Sequence, residues 1–386
     1  MANLLFIEGL EIDFYNPRSA ILFVCILQGV VFSALLFRRG LKQRTQADLW
    51  LGLLLVFFCA SLITPFIGFA NIYDRNQWLT YFPFGNAYIY GVLIYLYVRS
   101  LTDSAHRFKN RELLFFVPAA VYLIFRLVLF AQNLEFKNWF DENYYQPFAD
   151  PIISATVFVW NAIFLVLSLK HYRKYRIWLN ENFSDTEKVK FDWLRNFLYV
   201  YSFVFVLSGA FDLTDSFVFN LSYIQYFYFE LVLALATYYL AVAGYLRSAP
   251  SELRFSLVAK TEKTQTRKAI LSETEFQKLK TKLQNLMEDE KPFLNSQLTL
   301  GDLAKQLGVN SSVLSRIVNS GFEKNFNDFI NEYRINEFKQ KLRNGRDENL
   351  NLLGIAFDCG FNSKATFNRA FKKFANSSPK DFQETN

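Results

Sequence analysis

Seven stretches of this chain are apolar for roughly twenty residues at a time, and no other feature constrains its folding as strongly. They are Ser19–Phe37, Asp48–Ala70, Trp78–Val98, Glu112–Ala131, Ile152–Leu169, Trp193–Asp212 and Ser222–Leu246. A helix needs about 20 residues to cross the hydrocarbon core of a bilayer. Lipid offers the backbone no water, so each stretch must satisfy its own hydrogen bonds as a helix. Asn86 interrupts the third stretch and Asp212 ends the sixth, which makes these two the weakest. Trp50, Trp78, Trp139, Trp193, Tyr81, Tyr201 and Tyr223 stand at or near the ends of stretches, where amphipathic rings settle at the headgroup level. The 44 Phe suit lipid-facing helices better than a soluble core.

The segments between the stretches alternate in charge. One set carries Arg38, Arg39, Lys42 and Arg44, then Arg99, Arg107, Lys109 and Arg111, then Lys170, Arg173, Lys174, Arg176, Lys188 and Lys190. The other set carries only Arg18, Arg75 and Lys137. Basic loops stay on the cytoplasmic side, so seven spans put the N-terminus outside and the C-terminal tail in the cytoplasm. Met1 to Arg18 lacks the basic region and small-residue cleavage site of a signal peptide, so the first span is expected to act as an uncleaved anchor. The longest outside segment, Gln132 to Pro151, is too short for a folded sensor domain.

Ionisable groups are costly in a span, so those present are functional candidates. Asn86, Arg126, Asp212 and Glu230 all fall in the outer half of the expected bundle. They suggest a polar pocket open to the outside, with Glu230 or Asp212 paired to Arg126. The alternative is that Arg126 and Asp212 snorkel to the interface while Glu230 bonds a neighbouring helix. Asn161 is mid-span in the fifth stretch. Thr64-Pro65 predicts a kink in the second, because proline removes a backbone donor.

Composition changes abruptly after Leu246. Residues 1–246 form the expected transmembrane sensor domain, 247–271 a basic cytoplasmic linker, and 272–386 a soluble domain. The net charge of +7 suits an anionic lipid surface or a nucleic acid. Cys25, Cys59 and Cys359 have no paired spacing, and His106 and His171 lie apart, so no disulfide framework, metal site or cofactor is indicated. No catalytic constellation stands out, and no enzyme is expected.

"SETEF" (Ser272 to Phe276) is a capping box opening a helix with Phe276, Leu279, Leu283 and Leu286 at helical spacing. This helix would pack on the tail or pair with its copy in a dimer. In "LTLGDLAKQLGVNSSVLSRIVNS" (Leu298 to Ser320), Thr299 caps a first helix, Gly308 turns, and Asn310 or Ser311 caps a second. Ser312, Ser315, Arg316 and Asn319 face outward, as a major-groove reader requires. An amphipathic helix over roughly Asn325 to Leu342 follows, ended by Asn344-Gly345. The device then repeats in "IAFDCGFNSKATFNRAFKKFANSSPKDF" (Ile355 to Phe382). Ser363 caps its second helix, and Lys364, Ala365, Asn368, Arg369 and Lys372 face outward.

Residues Leu298 to Phe382 resemble the DNA-binding domain of the AraC/XylS family of bacterial transcription regulators. The resemblance rests on "LSRIVN" with "NFNDFINEYRI", and on "IAFDCGFNSKATFNRAFKKF" followed by "SSPKDF". It covers about a quarter of the chain. It implies an all-α domain of seven helices with two helix-turn-helix units and sequence-specific promoter binding. Carried over by position, base contacts would come from Ser312, Ser315 and Arg316, and from Lys364, Ala365, Asn368 and Arg369. Lys372 and Lys373 would meet phosphates. Asn376 stands where the family usually has Gly, and Asn tolerates the left-handed conformation expected there.

The whole chain thus reads as all-α: a seven-helix transmembrane bundle joined to a cytoplasmic seven-helix domain. The expected function is a membrane-bound one-component transcription regulator in the bacterial cytoplasmic membrane. Expected partners are promoter DNA, the lipid bilayer, RNA polymerase, a second copy on DNA, and a small ligand or membrane partner. Proteolytic release of the tail at the linker is a less economical output. The competing readings are a transporter with a regulatory tail and a scaffold whose tail binds protein.

Overall fold

The computed structural model describes residues 16–103, 106–186, 192–219, 221–246, 272–343 and 351–385. Among these, helices dominate and no extended strand occurs; Phe183 and Thr299 form an isolated antiparallel bridge. The chain divides into two compact units. One is Met1–Tyr172 with Phe191–Arg254; the other is Arg173–Lys190 with Phe255–Asn386. The expected linker 247–271 and the Asn344-Gly345 stop lie outside the described residues.

The apolar unit is built from α1 (Pro17–Gln43), α2 (Gln46–Phe69), α3 (Tyr90–Thr102), α4 (Val117–Phe130), the first part of α5 (Asp150–Asn182), α6 (Asp192–Phe217) and α7 (Tyr223–Leu246). Among the described residues, six helical segments are long and apolar enough to cross a membrane: Pro17–Gln43, Gln46–Phe69, Asn110–Phe130, Leu134–Asn182, Trp193–Asp215 and Tyr223–Leu246. Many of their apolar side chains point away from the protein, as lipid-facing residues do; Val24 and Val206 are 60% and 65% exposed.

The expected third span, Trp78–Val98, is not one helix. Short helical turns at Gln77–Leu79 and Ala87–Ile89 flank irregular chain containing Pro83 and Gly85, and α3 begins only at Tyr90. Its 13 residues rise about 20 Å, short of the hydrocarbon thickness. Val92, Leu93, Ile94 and Leu96 are fully buried, so the segment is apolar because it packs inside protein. Irregular backbone at membrane depth is tolerated in such buried positions.

At the basic end of the bundle, Arg39 forms a two-pronged ion pair with Asp48, both contacts at 2.7 Å. Its other nitrogen donates to the Tyr245 carbonyl at 2.5 Å, satisfying one of the open acceptors at the end of α7. One guanidinium thereby ties α1, α2 and α7 together. Helix α2 runs through Pro65 to Phe69, and Tyr223 donates to the Pro65 carbonyl at 3.0 Å.

The second unit holds seven α-helices among its described tail residues: α8 (Glu273–Asp289), α9 (Leu300–Leu307), α10 (Ser311–Arg316), α11 (Phe326–Arg343), α12 (Leu352–Asp358), α13 (Lys364–Ala375) and α14 (Pro379–Thr385). They build two small cores. Leu283 and Met287 of α8 join Leu303, Leu314, Ile317 and Phe329 in the first, so α8 packs on its own domain. Ile335, Phe338, Ile355, Phe367 and Phe371 make the second. Helix α11 serves both: Phe326, Phe329 and Ile330 face the first core, and Ile335 and Phe338 the second.

Candidate functional site

The local signals that open and close the tail helices act as the sequence indicates. Thr299 accepts from Asp302 N–H at 3.2 Å, and the Asp302 carboxylate accepts from the Thr299 N–H in return. Gly308 turns at φ 77°, and Asn310 caps α10 by accepting from Val313 N–H at 2.9 Å. In the second unit Ser363 accepts from Thr366 N–H at 3.1 Å. Asn376 takes the left-handed conformation at φ 53°.

These caps aim two short helices outward. On the first, Ser312, Arg316 and Asn319 are exposed and Ser315 is half-buried. The helix is α-wound only to Arg316; Ile317–Gly321 is π-wound, so Asn319 sits on a wider turn. Its short polar groups partly bond each other. Ser312 donates to Asn310 Oδ1 at 2.6 Å, and Asn319 donates to Ser315 Oγ at 3.3 Å. Arg316 is the one long donor on this face. On α13, Lys364, Ala365, Asn368, Arg369, Lys372 and Lys373 are all exposed, while Thr366, Phe367, Ala370 and Phe371 are buried. Lys373 pairs with Asp328 at the start of α11, at 2.7 Å, so its charge is partly matched within the domain.

Behind the two helices lies a group the sequence reading missed. Arg334, in the middle of α11, is 1% exposed. Its Nε donates to the Phe293 carbonyl at 2.7 Å, and its Nη2 to the Asn295 carbonyl at 2.8 Å and to Ser184 Oγ at 3.2 Å. The guanidinium also lies 5.7 Å from the centre of the Phe361 ring. Burial pulls its pKa down to about 10, which leaves it charged at neutral pH. The signal was present: Ile330, Arg334 and Phe338 stand four residues apart, so an arginine occupies the buried stripe.

Ser184 belongs to the segment joining the fifth and sixth apolar stretches. Within the tail unit this segment is part of the domain. Ser184 N–H donates to the Leu298 carbonyl at 3.2 Å, and Asn327 Nδ2 donates to the carbonyls of Phe183 and Ser184 at 3.2 and 2.7 Å. The same segment walls a polar cleft of about 290 Å³, where Arg176, Asn180 and Thr186 face Asp328, Arg369 and Lys373.

In the apolar unit, Asp212 and Glu230 line one cavity. Asn86 and Arg126 are not in its lining. Asn86 is buried, donates to the Ala119 carbonyl at 2.8 Å and caps the turn at Ala87–Ile89. Arg126 pairs with neither carboxylate: its guanidinium lies 4.9 Å from the centre of the Tyr81 ring and bonds the Tyr145 side chain. Stacking on an aromatic face satisfies the cation without bringing a carboxylate to it. Asn161 joins α5 to α3, accepting from Gly91 N–H at 2.7 Å and donating to the Ala87 carbonyl at 3.0 Å.

Residues 303–385 match the family of helix-turn-helix domains. No curated protein and no solved structure matches the chain. The matched span begins inside α9 and ends with α14, so it takes in both outward-facing helices and the α11 spacer. Residues 303–385 are a DNA-binding helix-turn-helix domain of the AraC type, carried on a chain with six helices of membrane-crossing length among its described residues.

Proposed function

We propose that this protein is a membrane-held one-component transcription regulator, in which the apolar bundle senses a small ligand or membrane partner and the tail binds promoter DNA. One observation carries the reading. A single polypeptide joins membrane-length helices to a DNA-binding domain whose two reading helices present ten polar or small residues on exposed or half-exposed positions. The alternation of basic loops puts the N-terminus outside and the tail in the cytoplasm, where DNA is. Short α3 and the irregular chain before it complete a seventh pass. Base contacts come from Ser312, Ser315, Arg316 and Asn319, and from Lys364, Ala365, Asn368 and Arg369. Lys372 meets phosphate, and Lys373 does so after giving up Asp328. Two copies on tandem half-sites would double these contacts, and RNA polymerase is the natural recipient of the signal. A ligand transmits only if it favours one arrangement of the bundle over another.

The test is a genome-wide fragment pull-down with the full chain in nanodiscs at two salt concentrations. The expected result is a small set of sites, each with half-sites about one helical turn apart. Arg369→Ala should weaken specific binding by about 1–3 kcal/mol and relax one position of the site. Lys372→Ala should weaken all sequences alike and flatten the salt dependence. Diffuse binding indifferent to Arg369→Ala would sink the reading.

A transporter has one observation on its side. The broken segment before α3 places Ala87 and Tyr90 in the wall of the membrane cavity, and transporters bind substrate at such discontinuities. It predicts saturable uptake into proteoliposomes, which a receptor does not show.

A further inference from the structure

The cavity between the apolar helices has a volume of about 330 Å³, at the lower end of the range that small-molecule sites occupy. Three carboxylates line it, from Asp150, Asp212 and Glu230, and its lining includes no lysine or arginine. Glu230 Oε2 is closed off from solvent and has no hydrogen-bond partner among the described residues. The neighbouring amide cannot supply one. Asn161 Nδ2 is already committed to the carbonyls of Ala87 and Val157, at 3.0 and 2.9 Å. Arg126 offsets only part of the charge, acting on Asp150 and bonding Tyr145. Three acidic groups thus face one cavity whose lining holds no cation among the described residues.

Apart from Ser61, Ser154, Asn161 and Ser208, the rest of the wall is aromatic and apolar. Tyr90, Tyr122, Tyr145 and Tyr201 contribute rings, as do Phe158 and Phe229. Val157, Val204 and Leu233 are among its aliphatic residues. A carboxylate held away from water without a partner is unfavourable, so a group that brings positive charge to Glu230 is favoured. A bare metal ion demands a cage of oxygen ligands and would leave the aromatic wall unused. An ammonium group fits both parts, because it pairs with carboxylates and is attracted to the faces of tyrosine rings.

We propose that this cavity binds a small organic cation, its ammonium head at the Glu230 and Asp212 carboxylates and its apolar body against the aromatic wall. The proposal names the ligand class of the bundle and rests on the sensor reading only for the consequence of binding.

The test uses the full chain in nanodiscs and calorimetric titration with three probes matched in size, phenethylammonium, 2-phenylethanol and phenylacetate, and with the larger tryptammonium as a fourth. Phenethylammonium should bind saturably, and 2-phenylethanol at least about tenfold more weakly, since it lacks the charge that Glu230 needs. Phenylacetate should not bind. Glu230→Gln keeps the shape and should weaken the cation by about tenfold or more. Val204→Trp keeps every carboxylate and fills the space, and should also abolish binding. Equal affinity for the alcohol, preference for the acid, undiminished binding to the Glu230→Gln variant, or no binding of either phenethylammonium or the larger tryptammonium would overturn the assignment. DNA occupancy measured alongside separates the two readings. Cation binding with unchanged occupancy supports the cavity and removes the sensor. Occupancy that answers some other signal in a chain binding no amine removes the cation and leaves the sensor.

Discussion

Arg334 shows how one side chain can hold a DNA-binding domain together. It gives donors to the turn before α9, to the Asn295 carbonyl and to Ser184, from within the helix both cores share. Arg334→Leu would leave these buried acceptors unpaired. The expected cost is about 3 kcal/mol or more, read as earlier loss of amide-exchange protection in α11. Arg334→Lys should lose most of the same stability, since one ammonium cannot match a planar fork of donors. Its pKa is lowered to about 10, so the folded state disfavours the charged form, and stability from this group rises only at alkaline pH between that value and the ordinary arginine range. Across the neutral range both states keep the charge, and the variant's deficit should not vary with pH.

At the scale of elements, what was legible in the sequence was what is encoded locally. Caps at Ser272, Thr299, Asn310 and Ser363 are side chains bonding their own backbone three residues on, and the positions of the short tail helices follow from them. What escaped was encoded by distant neighbours. The third apolar stretch resembles a span because burial in protein and burial in lipid select the same residues; Asn86, with Pro83 and Gly85 beside it, marks the break. Asp212 and Glu230, expected with Asn86 and Arg126 in one pocket, line one cavity without those two, and Arg126 was not legible as a ring-stacked cation. Two glycines in equivalent turns make a test of magnitude. Gly308 has φ 77° with open space around it, so Gly308→Ala should cost about 1–2 kcal/mol, the left-handed penalty alone. Gly360 has φ 90°, and a Cβ there would stand 2.4 Å from the Phe293 carbonyl oxygen and 3.0 Å from Arg334 Nε. Gly360→Ala should therefore cost clearly more, seen as a larger fall in the thermal midpoint of the tail.

At the scale of the whole molecule, the basic loops predict which parts face out. Cys25, Cys59 and Cys359 are all buried, so the native chain gives little background to thiol labels. Asn143→Cys should react with a membrane-impermeant maleimide in intact cells, and Arg107→Cys only after permeabilisation; the reverse pattern would invert the topology. The tail unit also includes Arg173–Lys190, the end of one membrane-length helical segment and the chain leading to the next. Protease cleavage anywhere in 247–271 would therefore sever a covalent link without completing a separation. Ser184 and the backbone that Asn327 holds would remain on the membrane side of the cut. On the proposed reading these contacts oppose release of the tail, so the operator would travel to the membrane, and a gene's position on the chromosome would become part of how fast it answers.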